Sequence, residues 1–247
     1  MYNELSFSIA NEKHRAFFMN GFLSSSKETA SNLHKHNFSE IHFITGGDAV
    51  FLVGENKINL QSGHIMIIPQ GEFHCCIQKD AGVFHNAFQV DFDVKEVGTV
   101  DIGSGVVSNL FSEIESLKKT GDYTKVLAYI SLFCSYLCPE GKRIAEPVSD
   151  YGFIIQEFIS TNYNKKIKLS DLACELHLSE RQTERLVREY TGNSFKEEVR
   201  KIRMNVANQL LASSGMTLSE VAEYVGYESY AGFWKARSGQ ADGNFMG

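Results

Sequence analysis

Residues 169–195 read LSDLACELHLSERQTERLVREYTGNSF and residues 217–233 read TLSEVAEYVGYESYAGF, and the two segments repeat one plan. In each, an apolar residue, a Ser and an acid lead into an apolar–Ala pair (Leu172–Ala173, Val221–Ala222), a turn follows, and a Ser (Ser179, Ser229) stands where its hydroxyl can cap the next helix. Two helix-turn-helix units are therefore expected. Ala173 and Ala222 keep the crossing helices close, where a bulky side chain would force them apart. Between the units, residues 195–211 carry Val199, Ile202, Val206 and Leu210 at helical spacing, which predicts a rod joining one unit to the other. From Asp150 onward only helical patterns occur.

Upstream the period changes. EIHFITGGDAVFLVGENKINL (40–60), HIMIIPQGEFHCCIQ (64–78) and VFHNAFQVDFDV (83–94) are short runs rich in Val, Ile and Phe, broken by Gly46-Gly47-Asp48 and Gly54-Glu55-Asn56. They read as strands joined by tight hairpin turns, a β-sandwich or small barrel. After residue 103, Val106, Leu110, Ile114 and Leu117, then Tyr123, Leu127, Ile130, Leu132, Phe133 and Leu137, recur at helical spacing across a Thr120-Gly121 break. The expected architecture is α+β. A β-barrel over the first hundred residues is followed by two helices at about 105–138, a linker at 139–149 marked by Pro139 and Pro147, and an all-α domain over 150–247.

The 247-residue length suits two domains. No apolar run approaches the ~20 residues that span a bilayer, and the first residues lack the basic start and apolar stretch of a signal peptide, so a cytoplasmic chain with no membrane partner is expected. Five cysteines (Cys75, Cys76, Cys134, Cys138, Cys174) fit a reducing compartment better than a disulfide framework. Cys134 and Cys138 could form half a metal site, but two small buried hydrophobes is the favoured reading. The net charge of −6 divides into −5 for residues 1–149 and −1 for 150–247. Contact with nucleic acid must then come from clustered Arg and Lys on one helix face and from helix N-termini.

The two repeated segments, with the linking KIRMNVANQLLASS (201–214), resemble the two-unit DNA-binding domain of AraC-type regulators over about residues 153–245. The resemblance implies that each unit places a recognition helix in the major groove of double-stranded DNA. The first would run from Glu180 to Glu189, capped by Ser179, with Arg181, Gln182, Thr183, Arg185 and Arg188 as candidate contacts and Leu186, Val187 and Tyr190 packed inward. Arg and Gln are geometric matches to guanine and adenine edges. The competing reading pairs Arg185 and Arg188 with Glu184 and Glu189 as a solvated face. Lys196, Arg200, Lys201 and Arg203 on the connecting helix are equally suited to phosphate or water. The second recognition helix would be Tyr230–Ala236, with Ser229, Tyr230 and Lys235 as candidate contacts and Phe233 in the core. After Ala236 the chain departs from the family pattern, about three residues short and with Asp242 in place of a proline, which predicts weaker packing of the second unit.

His34-x-His36-x3-Glu40 and Gly63-x5-Pro69-x-Gly71-x2-His74 resemble the two motifs of cupin barrels, with Gln78 where Asn is usual. That resemblance implies that His34, His36, Glu40 and His74 converge inside the barrel, a donor set suited to a divalent transition metal. The competing reading keeps them as pocket-lining polar groups without metal. Phe43, Phe51, Ile67 and Phe88 are expected to line an apolar effector pocket. No role is assigned to His42, His64 or His85, and His14 and His177 are expected at the surface.

The function expected is ligand-dependent transcription control. A small-molecule effector binds the barrel and shifts how the helices at 105–138 pair in a homodimer or contact the DNA domain, altering operator occupancy or RNA polymerase recruitment. Two rivals make different predictions. A metal-dependent cupin enzyme with a helical extension predicts turnover, and needs acid-base partners that the sequence does not supply. A regulator whose second unit has lost DNA binding predicts normal folding without duplex affinity.

Overall fold

A computed structural model describes residues 3–9, 12–18, 31–79, 84–120, 123–137 and 150–241. The chain divides into two compact units, Met1–Pro147 and Val148–Gly247. The expected linker at 139–149 lies outside the described residues.

Among its described residues the first unit holds nine strands: β1 (Asn3–Ile9), β2 (Glu12–Phe18), β3 (Ser39–Thr45), β4 (Asp48–Val53), β5 (Asn56–Gln61), β6 (His64–Ile68), β7 (His74–Lys79), β8 (Phe84–Val90) and β9 (Gly98–Asp101). They form a six-stranded sheet in the order β1-β2-β8-β3-β6-β9 and a three-stranded sheet in the order β5-β4-β7. Gly46 and Gly47 both take positive φ (63° and 59°), which a tight β3–β4 turn of this hand requires. Two helices follow, α1 (Ser104–Thr120) and α2 (Thr124–Leu137).

Strand alternation sorts the side chains into two cores. Ile41 and Phe43 of β3, Ile65 and Ile67 of β6, and Phe88 and Val90 of β8 pack against Val107 and Leu110 of α1 and Val126, Ile130, Phe133 and Cys134 of α2. Ile44, Met66 and Ile68 point the other way and meet Ala49, Phe51, Val53, Leu60 and Cys76 from the three-stranded sheet. β3 is thus buried on both faces, one carrying Ile41 and Phe43 and the other Glu40, His42 and Ile44. Cys134 is fully buried among apolar neighbours, and burial with Cys76 alongside pushes the Cys75 thiol up to about 11. Both behave as small core residues.

The second unit is all helical: α3 (Asp150–Asn162), α4 (Leu169–Leu176), α5 (Glu180–Thr191), α6 (Phe195–Ser213), α7 (Leu218–Tyr224) and α8 (Tyr230–Ala241). Ser179, Ser194 and Thr217 each close a reciprocal capping box, with Gln182, Glu197 and Glu220. Ile155, Ile159, Leu172, Leu176, Leu186, Val187, Phe195 and Val199 form the core of the first helix-turn-helix. α8 continues past Ala236 to Ala241, so the helix is not cut short where the sequence leaves the family pattern. Residues 242–247 lie outside the described residues. Gly226 (φ +86°) sits in the turn before α8, and a Cβ there would stand 2.2 Å from the carbonyl oxygen of Asn164. The second unit's turn thus packs directly on the backbone that follows α3.

Candidate functional site

In the first unit, the segment before β3 runs beside β7. The His34 N–H donates to the His74 carbonyl (3.0 Å), and the His74 N–H donates to that of His34 (2.8 Å). This exchange carries His34 and His36 to His74, while β3 turns Glu40 toward the three-stranded sheet. The donor atoms of His34, His36, Glu40 and His74 all lie within 4.8 Å of one another. Glu40 Oε2 is 2.8 Å from His74 Nε2, 2.9 Å from His42 Nε2 and 3.5 Å from His36 Nε2.

Two of the imidazoles are oriented from behind. His34 Nδ1 is 2.6 Å from the Asn32 carbonyl oxygen and His74 Nδ1 is 3.0 Å from that of Glu72. A carbonyl can only accept, so each Nδ1 carries a proton, an outer-shell arrangement common around bound metals, while the Nε2 of His74 lies at hydrogen-bond distance from the Glu40 carboxylate. Burial, together with His74 and His36, pushes His34 well below its ordinary value, and burial also lowers His42. Burial alone would raise the Glu40 carboxyl, but the His36 and His42 imidazoles outweigh it and hold the group well below the usual range. Imidazole nitrogens gathered beside an ionised carboxylate are a donor set that fits a divalent transition metal.

His42 and His85, given no role from sequence, belong to this neighbourhood. Their rings stack at 5.0 Å with Nδ1 of His42 2.8 Å from Nε2 of His85. The signal was present: His42 is two residues after Glu40 on a strand, hence on the same face. His14 corrects a second expectation. It is fully buried rather than exposed, with its Nδ1 3.3 Å from Asp91 Oδ1 and its ring beside Phe92 at 4.3 Å.

The four expected pocket residues do not line one cavity. Phe43, Ile67 and Phe88 face α1 and α2 and are core, with Phe43 edge-on to Phe133 at 5.6 Å. Phe51 alone faces the interior between the sheets, where its ring lies 4.9 Å from that of His42. The reason is parity: Phe43 is an odd step from Glu40 on β3, so a strand that points Glu40 inward points Phe43 out.

In the second unit α5 presents Arg181, Gln182, Arg185 and Arg188 outward. The Ser179 hydroxyl caps α5, and Gln182 Oε1 accepts from the Ser179 hydroxyl (2.7 Å) and backbone N–H (3.2 Å). Arg185 pairs with Glu189 (3.2 Å) and Arg188 with Glu184 (3.1 Å), with the arginine side chains 71% and 58% exposed. Pairs this exposed hold for ~0–1 kcal/mol and exchange readily for phosphate or base contacts. Thr183 is a correction: it is fully buried, and its hydroxyl donates to the Ser179 carbonyl at 3.0 Å, so it braces the cap and cannot reach a groove.

In α8, Ser229 Oγ accepts from the Gly232 N–H (3.2 Å), and Tyr230 and Lys235 are exposed. Arg203 is half-buried and engaged within the unit. Its guanidinium donates to the carbonyls of Tyr163 (2.7 Å) and Lys165 (2.9 Å) and lies over the Tyr227 ring at 5.3 Å. It ties α6, the loop after α3 and the second turn together. Sequence reasoning also passed over Trp234, which is 51% exposed on α8.

The family described as "AraC-like ligand binding domain" matches residues 25–91, and that described as "Helix-turn-helix domain" matches residues 172–237. The chain is 23% identical to the uncharacterized HTH-type transcriptional regulator YfiF of Bacillus subtilis, over 86% of this chain and 78% of that protein. It is 21% identical to the Msm operon regulatory protein of Streptococcus mutans, over 79% and 78% respectively. Residues of the lactose operon transcription activator of Staphylococcus xylosus match at 35% identity, over 29% of this chain and 26% of that one. Among solved structures, apo ToxT of Vibrio cholerae aligns with a TM-score of 0.40 at 13% identity, over 97% of this chain and 92% of that chain. Among the described residues no helix is long and apolar enough to cross a membrane.

Proposed function

The chain is an AraC-type transcriptional regulator, an AraC-like ligand-binding domain joined to a helix-turn-helix domain, and from that premise we propose that what binds inside the sandwich sets how tightly α5 and α8 hold an operator. The observation that carries this reading is the set His34, His36, Glu40 and His74, the last three of them buried, in the same unit that matches the ligand-binding family. A site of that polarity recognises a metal or a polar effector group rather than a purely apolar molecule. We assign it a divalent transition metal held by those four residues. When bound, the ion would supply open coordination positions to an effector's oxygen or nitrogen atoms.

On DNA, Arg181, Arg185 and Arg188 with the amide of Gln182 contact one half-site, and Ser179 anchors the N-terminus of α5. Ser229, Tyr230 and Lys235 serve the second. Two copies pair through α1 and α2, a reading supported by Leu132 and Tyr136, exposed on α2 at 38% and 51%. The regulator acts in the cytoplasm, where its duplex target and RNA polymerase are.

The test is retention of DNA from upstream of the protein's own and neighbouring genes, at two salt concentrations, by wild type and Arg185→Ala. Salt-sensitive, sequence-specific retention weakened tenfold or more by the substitution supports the reading, a base-contacting Arg being worth ~1–3 kcal/mol. Metal analysis of wild type and His74→Ala runs alongside. No specific retention with or without added metal would refute the regulator mechanism, and equal metal content in both proteins would refute the ligand set.

A further inference from the structure

The two recognition helices offer different chemistry to a groove. Their caps fix the correspondence: the Thr183 N–H donates to the Ser179 carbonyl (2.9 Å), the Phe233 N–H donates to the Ser229 carbonyl (3.2 Å), and Thr183 and Phe233 are both fully buried. Counting from the caps, Tyr230 stands where α5 has Glu180, Trp234 where it has Glu184, and Lys235 where it has Arg185. The outward face of α5 is therefore charged and that of α8 is aromatic. Tyr230 and Trp234 lie one turn apart, 46% and 51% exposed, with their rings stacked at 6.2 Å and 27°.

The fold does not need this pair in water. Phe233 already anchors α8, wholly buried and edge-on to Tyr227 at 5.5 Å. Holding an indole and a phenol against solvent on a surface helix forgoes the stabilisation that burial brings, at ~25 cal/mol per Å² of apolar area. Only contact with something else recovers it. α8 is the second helix of a helix-turn-helix, so the surface it offers its aromatic face to is the major groove. In that groove the single apolar group on any base edge is the C5 methyl of thymine.

We propose that Tyr230 and Trp234 form a thymine-methyl reader, so that the second half-site is selected by apolar burial while the first is selected by hydrogen bonds from α5. Lys235, on the same helix, positions it on phosphate without choosing a base. The division agrees with the charge of residues 150–247, which at −1 leaves little for a purely electrostatic grip. The inference rests on the regulator reading and goes beyond it by naming the base and the residues that select it.

The experiment enriches binders from a random duplex pool with the full-length chain, maps the half-site touched by α8 from the bases whose selection weakens in Trp234→Ala, and then replaces each thymine there with uracil, which removes only the methyl. For wild type, each critical replacement should weaken binding about fourfold, the value of one buried methyl-sized group. Trp234→Ala should bind about tenfold more weakly than wild type, keep the same slope of affinity against salt, and be indifferent to uracil. Trp234→Phe, which keeps a ring, should regain part of the uracil sensitivity. Both residues are exposed, and an unchanged melting temperature shows that the variants fold. Enrichment with wild type indifferent to uracil, or Trp234→Ala as sensitive as wild type, overturns the methyl reader while leaving the regulator reading intact. Failure to enrich any sequence overturns both.

Discussion

Replacing Gly226 with Ala puts a methyl group where the backbone of Asn164 already stands. The added Cβ would lie 2.2 Å from the Asn164 carbonyl oxygen and 2.7 Å from its carbonyl carbon, and neither can swing aside as a side-chain tip would. Two penalties combine. A positive φ of +86° is strained for any residue with a Cβ, by about 1–2 kcal/mol. Separating the turn from the Asn164 backbone costs about 1–3 kcal/mol more, as overpacking does elsewhere. Gly192, the C-cap of α5, supplies the control: its φ of +74° carries the same strain, but nothing lies within 4 Å of its added Cβ. In this unit of about a hundred residues, each kcal/mol moves the melting temperature by roughly 4–8 °C. Thermal unfolding of the full chain, followed by helical circular dichroism, should show Gly226→Ala melting at least about 5 °C below Gly192→Ala. Equal melting of the two variants would refute the close packing of the second turn on the loop after α3.

Arg203→Met removes the donors to the Tyr163 and Lys165 carbonyls, and should destabilise the DNA unit by about 2–3 kcal/mol in urea titration while leaving the salt slope of DNA binding unchanged, since the guanidinium is engaged by those two carbonyls. His177 is the one non-glycine residue with positive φ (54°) among those described, so His177→Gly should stabilise the unit by about 0.5–1 kcal/mol, read as a rise in melting temperature. Thr183→Val should leave DNA affinity within twofold of wild type in a retention assay, because the hydroxyl faces Ser179; a tenfold loss would return Thr183 to the interface. Phe88→Ala should lower the unfolding free energy of the first unit by about 3–5 kcal/mol, the cost of emptying a core position. If effector or metal binding changed and stability did not, Phe88 would line the pocket after all.

The sequence by itself determined what is local and periodic. Helix-turn-helix repeats are legible because a cap, an apolar–Ala pair and a turn recur within a few residues, and α5 falls where those signals put it. The cupin-like spacing of His34, His36, Glu40 and His74 likewise survives as a cluster with donor atoms within 4.8 Å, because a strand and a segment beside it fix parity and reach. The tertiary structure decided which side of each strand meets which layer. Alternation sets Phe43 opposite Glu40 on β3, but β3 is buried on both faces, and only the tertiary structure decided that α1 and α2 cover the face of Phe43 and Phe88. It also decided the fate of the polar side chains. His14 is buried beside Asp91, Thr183 is turned onto its cap, and Arg203 is spent on two carbonyls forty and thirty-eight residues away in sequence. Each depends on a neighbour brought close only by packing, and a pattern along one chain carries no record of such neighbours.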